Sequence, residues 1–287
     1  MVSWTRYLVY GVEICAIAYF LICFGLLLGQ RRIIFIPCKP IVATPTDYGL
    51  TYESVYLPVT AQEKIHGWWL RSKTEEAPVL LYLHGNGGNV SANLPRAERF
   101  HQVGFTVFLI DYRGYGLSQG RFPSEKRLYE DAQTAWRYLV EERNVDPEQL
   151  YVFGHSLGGA IAIELATRHP EIPGLVVEGA FTSMLDMARY KGSYNWLPVN
   201  WLLTQRFDSL KKLATLNTPI FYLHGTEDLV VPAEMSRTLY QATLGRKALW
   251  LVEGAGHNDI ATITGEAYEK RIWQFLLQDT PIENLTY

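Results

Sequence analysis

The sequence predicts an α/β protein with a mostly parallel, twisted sheet of the doubly wound type and helices on both faces. Two observations indicate this class. Short apolar runs recur without polar alternation, as expected for strands buried on both faces of a sheet. Amphipathic stretches with a helical period separate these runs. A chain of 287 residues with 48% hydrophobic and 19% charged residues is also able to fold around a core.

The first element is an apolar stretch over residues 7–29, which contains one charge, Glu13. A helix of this length, at about 1.5 Å per residue, spans the roughly 30 Å hydrocarbon core of a bilayer. A cleaved signal peptide would have a shorter apolar region followed by small residues, whereas Gln30 and two arginines follow here. A buried core helix is the other alternative. We predict an uncleaved, single-pass membrane anchor over residues 1–30 that contacts the lipid bilayer through residues 7–29.

The charges that flank the apolar stretch predict its orientation. One basic residue, Arg6, precedes the stretch, and three follow it closely: Arg31, Arg32 and Lys39. Because basic residues are enriched on the cytoplasmic side of membrane helices, we expect the C-terminal bulk of the chain to face the cytoplasm.

The remaining chain predicts a linker and one large domain. Residues 31–50 carry three prolines and are expected to form an extended linker, and residues 51–287 contain neither repeats nor low-complexity tracts. The domain begins with a predicted antiparallel pair, YESVYLPV and KIHGWWL. Buried strands then follow at PVLLYLHG, FTVFLIDY, QLYVFGHS, PGLVVEGA, TPIFYLHG and KALWLVEG. Residues 181–217 interrupt this alternation with a longer, aromatic-rich stretch, which we interpret as a short inserted cap.

Charge and cysteine content exclude several functions. A formal net charge of −3 gives no basic surface for nucleic acid, so no nucleic-acid partner is expected. The three cysteines, at positions 15, 23 and 38, all precede the domain, which therefore has no disulfide. The chain contains no CxxC or HExxH motif, and we expect no metal site and no cofactor.

A nucleophile motif lies at Gly154-His155-Ser156-Leu157-Gly158, which matches GxSxG. An apolar strand precedes the motif and a helical stretch follows it. A sharp strand-to-helix turn of this kind exposes its central residue at the carboxyl edge of the sheet, and the flanking glycines avoid collisions. A tight turn that merely contains serine is the alternative. We predict that Ser156 is the catalytic nucleophile.

A serine nucleophile requires a base and a group that orients the base. Asp228 follows one predicted strand and His257 follows the next, so both lie at the same carboxyl edge as Ser156. Glu178, at the end of another strand, is a rival acid. Glu227 is adjacent to Asp228 but should point the other way. Another neighbouring carboxylate, that of Asp259, is expected to brace the segment after the histidine.

Other polar residues at strand ends have structural interpretations. Asp111 is expected to brace the tight loop that contains Gly114 and Gly116, and His155 and His224 are expected to hydrogen-bond backbone groups.

The oxyanion of an acyl-transfer intermediate also needs preset donors. The glycine-rich segment His84-Gly85-Asn86-Gly87-Gly88-Asn89 follows a predicted strand, and we assign one donor to the backbone of Asn86 and the other to the backbone of Leu157. A phosphate-binding loop is the alternative, but the segment lacks the third glycine of GxGxxG and no GKS/T follows.

Together these segments identify a resemblance. From about residue 33 onward, the chain resembles the α/β-hydrolase superfamily, and within it the membrane-anchored Bem46-like and ABHD-type serine hydrolases. The resemblance rests on HGNGGN, DYRGYGLSQG, GHSLGG, RFDSLKKL, HGTEDLVVP and GAGHND. It implies an α/β-hydrolase fold with Ser156, Asp228 and His257 as the triad, and with Asn86 and Leu157 at the oxyanion hole. It implies little about the substrate.

The sequence thus predicts a membrane-anchored serine hydrolase that cleaves ester or thioester bonds of acyl, lipid-like substrates through an acyl-enzyme. The alternatives are a non-enzymatic membrane scaffold or polarity factor on the same fold, and a serine peptidase. The predicted cap is rich in apolar side chains, and we expect Trp196, Trp201 and Leu202 to line an acyl pocket above the serine. The alternative is that these side chains only fill the core of the cap itself.

Overall fold

The computed structural model describes residues 4–278, without the side chain of Thr5. The first three residues of the predicted anchor and the last nine residues of the predicted domain, 279–287, lie outside the described residues.

An eight-stranded sheet forms the centre of the molecule, with the strand order β1-β2-β4-β3-β5-β6-β7-β8. Strand β2 is antiparallel to β1 and β4, and the other neighbouring pairs are parallel. The predicted antiparallel start and parallel remainder are confirmed. The strands are β1 Glu53–Pro58, β2 Lys64–Leu70, β3 Val79–Leu83, β4 Thr106–Asp111, β5 Leu150–His155, β6 Leu175–Glu178, β7 Ile220–Gly225 and β8 Lys247–Val252.

Helices cover both faces of this sheet. Within the described residues the α-helices are α1 Trp4–Ile34, α2 Leu94–Gln102, α3 Glu125–Arg137, α4 Leu157–Arg168, α5 Met184–Tyr190, α6 Val199–Leu202, α7 Ser209–Leu213, α8 Ala233–Ala242, α9 Ile260–Thr264 and α10 Ala267–Leu277. Side chains alternate across strand β3, so that Leu81 packs into one core with α3, α4 and α8, whereas Leu80 packs into a second core with α2 and α10. Burial on both faces explains the unbroken apolar runs of the central strands.

The N-terminal helix is longer than the predicted anchor. Helix α1 runs to Ile34, four residues beyond the predicted end of the anchor, and its last turn carries Arg31 and Arg32, which suit the negative end of the helix dipole. Its segment Arg6–Ile34 is long and apolar enough to cross a membrane by length and composition, a property that a signal sequence shares.

The predicted linker lies against the domain instead of extending away from it. Phe35 is buried in the core, and the carbonyl of Cys38 accepts a hydrogen bond from the backbone of Gly116 at 2.8 Å. The side chain of Asn89 donates to the carbonyl of Pro40 at 2.7 Å. These bonds satisfy the backbone of a proline-rich segment that has no strand partner, and they hold the end of α1 close to the sheet.

The predicted cap contains helices α5, α6 and α7, which connect β6 to β7. Its middle part contacts α1. The side chain of Gln30 donates to the carbonyl of Leu202 at 3.0 Å and accepts from the backbone of Thr204 at 2.8 Å. Eleven residues earlier in α1, the hydroxyl of Tyr19 donates to the carbonyl of Trp196 at 3.2 Å. The cap therefore lies alongside three turns of the apolar helix.

Candidate active site

The turn between β5 and α4 has the strained geometry that the GxSxG pattern predicts. Ser156 has a φ of 53° and a ψ of −115°, a conformation that a side-chain-bearing residue rarely adopts. A Cβ on Gly154 would lie 2.4 Å from the carbonyl oxygen of Gly158, and a Cβ on Gly158 would lie 2.0 Å from that of Leu83. The two glycines therefore permit a tight elbow that presents Ser156 at the edge of the sheet.

Asp228 and His257 meet at the same edge, in the loops that follow β7 and β8. Asp228 Oδ2 lies 2.6 Å from His257 Nδ1, and both side chains are largely buried. The other carboxylate oxygen, Oδ1, accepts hydrogen bonds from the backbone N–H groups of Val230 at 2.8 Å and Val231 at 2.9 Å. These two donors fix the carboxylate, and the carboxylate in turn fixes the orientation of the imidazole.

A second histidine supports this carboxylate. His224 Nε2 lies 3.1 Å from Asp228 Oδ2 and 2.9 Å from the carbonyl of Val231, while its Nδ1 lies 2.7 Å from the hydroxyl of Ser236. Burial by itself would raise the pKa of Asp228, but the hydrogen bonds from His224, His257 and Val231 outweigh it and hold that pKa well below its usual range. Asp228 is therefore ionised at neutral pH.

The predicted backbone hydrogen bond of His224 is confirmed, but its contact with Asp228 was not predicted. Sequence position is the signal that could have indicated this contact, since His224 is the penultimate residue of β7 and lies four residues before Asp228.

His155 holds the histidine loop from the other side. Its Nε2 lies 3.1 Å from the carbonyl oxygen of His257. Burial, reinforced by the positive charge of Arg96, lowers the pKa of His155 well below its ordinary value. His155 is thus a neutral donor at physiological pH, and its predicted backbone bond is confirmed.

The rival carboxylates have other partners. Glu178 forms an ion pair with Arg96 at 3.0 Å and accepts a hydrogen bond from the hydroxyl of Tyr268, inside the core that α2 and α10 cover. Glu227 is exposed to solvent. Asp259 Oδ1 accepts from the backbone N–H of Gly256 at 2.7 Å, as a brace for the loop that carries His257.

Asp111 braces its neighbouring loop, as expected. The carboxylate is fully buried and accepts a hydrogen bond from the backbone N–H of Val90 at 2.9 Å. A Cβ on Gly116 would lie 1.8 Å from Asp111 Oδ2, so the loop packs directly onto the carboxylate.

Asn86 and Leu157, the residues predicted for the oxyanion hole, lie with Ser156 on the wall of one cavity. The side chain of Asn86 also binds the end of the apolar helix. Its Nδ2 donates to the carbonyl of Ile34 at 2.6 Å, and its Oδ1 accepts from the backbone of Ile36 at 3.2 Å. The glycine-rich loop is therefore tied by one hydrogen bond to the last residue of α1 and by another to the segment just after the helix, and the sequence did not predict these contacts.

This cavity has a volume of about 380 Å³ and three walls. The sheet edge contributes Asn86, Ser156, Leu157, Phe181, Val230 and Val231, and the cap contributes Met184, Met187, Ala188, Lys191, Tyr194, Leu197, Val199, Leu202 and Leu203. The third wall is the end of α1 with the residues after it: Leu26, Gln30, Ile33, Ile34 and Ile36. Lys191 carries the only charge among the lining residues that the structure describes, and the remaining surface is mainly apolar.

Of the three residues predicted to line the pocket, the structure places one on the cavity wall and two outside the cavity. Leu202 lies on the cavity wall, but Trp196 and Trp201 do not, and their side chains are 57% and 89% exposed. The expected placement of the two tryptophans on the pocket wall is therefore wrong. Trp196 precedes helix α6 and lies beside Tyr19 of α1, and Trp201 is turned away from the cavity by the phase of α6. Residues three apart share a helix face, so Val199 and Leu202 face the cavity while Trp201 faces away.

The strand order, the elbow and the loops that carry Asp228 and His257 define the α/β-hydrolase fold. Among solved structures, the esterase Pf2001 of Pyrococcus furiosus superposes with a TM-score of 0.70 at 23% identity, over 85% of this chain and 97% of that chain. The family described as serine aminopeptidase, S33 matches residues 74–211.

Two sequence relatives narrow the family to which the chain belongs. An uncharacterized protein of Mycobacterium tuberculosis is 33% identical over 250 residues, which is 87% of this chain and 88% of that protein. The protein bem46 of Schizosaccharomyces pombe is 33% identical over 246 residues, which is 83% of this chain and 81% of that protein. The chain therefore belongs to the Bem46-type branch of the α/β-hydrolase superfamily, and the resemblance seen in the sequence is confirmed.

Proposed function

We propose that this hydrolase is a membrane-anchored serine hydrolase that cleaves ester or thioester bonds of acyl, lipid-like substrates. The observation that carries the proposal is the hydrogen bond between Asp228 and His257, at the sheet edge that also presents Ser156 to an apolar cavity. A serine, a histidine and a fixed carboxylate in this arrangement are the groups that acyl transfer requires.

In the proposed reaction, Ser156 Oγ attacks the carbonyl carbon of the substrate while His257 Nε2 takes the hydroxyl proton. Asp228 accepts the hydrogen bond from Nδ1–H, which keeps Nε2 free as the acceptor and stabilises the imidazolium that forms. The backbone N–H groups of Asn86 and Leu157 stabilise the oxyanion, aided by the N-terminus of α4. The histidine then protonates the leaving alcohol or thiol, and an acyl-enzyme remains.

Water completes the reaction. His257 Nε2 takes a proton from the water molecule while the water oxygen attacks the acyl carbon. The second tetrahedral intermediate then collapses, the bond from the acyl carbon to Ser156 Oγ breaks, and the His257 imidazolium returns the proton to Ser156 Oγ as the carboxylic acid is released. This sequence uses only groups of the chain and a water molecule, and it includes no metal and no organic cofactor.

The lining of the cavity supports an acyl substrate over a peptide. An aminopeptidase has to bind a free ammonium group, for which an acidic side chain is the natural partner. The described wall carries Lys191 as its charge and otherwise apolar side chains, so it repels an ammonium and favours a hydrocarbon chain. The neighbours with solved structures include esterases, in keeping with this choice.

Helix α1 supports the membrane anchor. Most of its side chains are exposed and apolar, and such a surface is covered by lipid when the helix spans a bilayer. The excess of basic residues after the helix supports a cytoplasmic orientation of the catalytic domain. A scaffold without activity would not require the bonds that hold Asp228 and His257 together.

A fluorophosphonate tests this proposal, because an activated serine attacks phosphorus rapidly and becomes covalently labelled. We expect Ser156→Ala to abolish labelling and to lower kcat for p-nitrophenyl esters on the order of 10⁴-fold to 10⁶-fold, as in other triads. Ser193→Ala, on the exposed surface of the cap, is the matched control and should react as the wild type does. Labelling that persists in Ser156→Ala would assign the nucleophile to another residue.

A further inference from the structure

The cap exposes two tryptophans, and the cavity does not account for them. Trp196 and Trp201 lie outside the cavity, yet large aromatic side chains with this exposure are costly in water. The indole of Trp196 is 6.0 Å from the ring of Tyr19 in α1. The apolar surface of the cap is thus continuous with the apolar surface of the predicted membrane helix.

The length of α1 sets a limit on where the cap lies. Helix α1 has 31 residues, which corresponds to about 46 Å at 1.5 Å per residue. The described part of α1 that precedes the contact with the cap, residues 4–18, is about 22 Å long, and the hydrocarbon core of a bilayer is about 30 Å thick. If the cap were held entirely in water, this described part of α1 would not span the membrane by itself.

The exposed face of α1 beside the cap agrees with this limit. Phe20, Phe24 and Leu28 are 66%, 48% and 69% exposed, and the next charged residue along the helix is Arg31. If the bilayer ended before Tyr19, these apolar side chains would be exposed to water, which is unfavourable. We therefore expect lipid to extend along α1 past the level at which the cap begins.

The polar tip of the cap limits how deeply the cap can enter the bilayer. Ser193 and Asn195 are exposed in an irregular loop beside Trp196, and unpaired polar backbone is not tolerated in hydrocarbon. The interfacial layer satisfies both requirements, because it accepts polar groups and favours the amphipathic ring of tryptophan. Trp196 and Trp201 have the residue type and the exposure of interfacial anchors.

We propose that the cap is a second membrane contact, in which Trp196 and Trp201 insert into the lipid–water interface beside α1. This inference rests on the proposed membrane anchor. Because α1 and the cap form two walls of the cavity, an interfacial cap brings the cavity to the depth of the lipid ester groups. An acyl chain then enters from the bilayer without crossing water, which names the substrate class as esters of membrane lipids.

The depth of the cap is measured directly on the full chain in phosphatidylcholine vesicles. The three native cysteines are replaced by alanine, and Trp196→Cys, Trp201→Cys or Leu244→Cys supplies one site for an environment-sensitive fluorophore. Leu244 is the matched control, because it is 65% exposed and lies just before β8, at the opposite edge of the sheet from the cap.

The inference predicts that a lipid with a nitroxide near its ester carbonyl quenches the fluorophore at positions 196 and 201 and leaves position 244 unchanged. A nitroxide near the methyl end of the acyl chain should quench positions 196 and 201 less. Absence of quenching at positions 196 and 201 would overturn the inference if the chain resists extraction from the vesicles by alkaline carbonate, because the membrane anchor would then be intact. Extraction by carbonate would instead contradict the anchor itself.

A kinetic measurement separates the effect of docking, meaning contact of the cap with the lipid–water interface, from an effect on catalysis. The double variant Trp196→Ala/Trp201→Ala should lower kcat/KM severalfold for a long-chain ester embedded in vesicles and leave the rate with water-soluble p-nitrophenyl acetate unchanged. Leu244→Ala should affect neither rate. An equal loss with both substrates would assign the tryptophans to the structure of the cap and would contradict docking, whereas failure of Ser156→Ala to lose labelling would contradict only the proposed nucleophile.

Discussion

Replacement of Asp228 by asparagine provides a sharp test of the proposed catalytic machinery, because the structure determines how the new amide would be oriented. The backbone N–H groups of Val230 and Val231 both donate to Asp228 Oδ1, so the amide oxygen of the substituted side chain must take that position. The amide NH₂ then faces His257 Nδ1, where Oδ2 accepts a hydrogen bond at 2.6 Å in the wild type.

The expected consequence is the wrong tautomer of the histidine. Facing a donor, Nδ1 of His257 becomes an acceptor, and the ring proton moves to Nε2, which can no longer take the proton of Ser156. We expect Asp228→Asn to lower kcat for p-nitrophenyl butyrate on the order of 10⁴-fold, or about 5.4 kcal/mol in the barrier. Glu227→Gln, the same chemical change at the exposed neighbouring position, should retain wild-type kcat.

The fold should survive Asp228→Asn, at a cost of about 2 kcal/mol for the lost charge-assisted hydrogen bonds. The pKa of Asp228 is lowered in the folded state, so its contribution to stability is fully present above the unfolded pKa of about 3.9 and is lost as the pH falls through the folded value. The difference in unfolding free energy between wild type and variant should therefore stay constant from pH 7 to about pH 5 and shrink at more acidic pH. Retention of more than about a tenth of kcat in Asp228→Asn, or an equal loss in Glu227→Gln, would refute the assignment.

Three further outcomes are expected. Gly116→Ala should lower the free energy of unfolding by about 3 kcal/mol or more, because its φ is +42° and the new Cβ would lie 1.8 Å from a buried carboxylate oxygen; a near-neutral denaturant melt would contradict this packing. Glu178→Gln should destabilise the fold by about 3 kcal/mol, because it leaves the largely buried charge of Arg96 without its carboxylate partner, while labelling by a fluorophosphonate persists; lost labelling in a stable variant would make Glu178 the acid. In kinetics with p-nitrophenyl esters, kcat/KM should rise about fourfold per added methylene until the cavity is full, and Leu202→Ala but not Trp201→Ala should flatten that profile; a flat profile in the wild type would exclude an acyl pocket.

Much of the fold follows from local sequence. Runs such as VLLYL and LYVFGH have no polar face and are short, which is typical of strands buried on both faces of a sheet in a layered α/β protein. The elbow around Ser156 requires glycine on both sides, since any side chain at Gly154 or Gly158 would collide with backbone. In a parallel sheet the carboxyl ends of neighbouring strands share one edge, and this geometry brings the loops of Asp228 and His257 together.

Other features depend on where individual side chains point, which the linear sequence does not specify. Glu178 and Asp228 both follow apolar strands, but Glu178 points into the core beneath α2 and meets Arg96, whereas Asp228 sits in a turn whose N–H groups aim it at His257. A single residue of helix phase separates Leu202, on the cavity wall, from the exposed Trp201. Composition is the same in either arrangement, and only the packing of the cap selects between them.

The wall that α1 contributes to the cavity is the clearest feature that the tertiary structure decides and the sequence does not. The sequence determines that residues 7–29 form an apolar helix, because length and hydrophobicity suffice for that prediction. A helix that is apolar on every side has no distinct face to show which side meets protein and which meets lipid. Gln30 and Ile34 acquire their partners only when the cap and the loop of Asn86 fold against them, so the contact between α1 and the candidate active site is decided by tertiary structure.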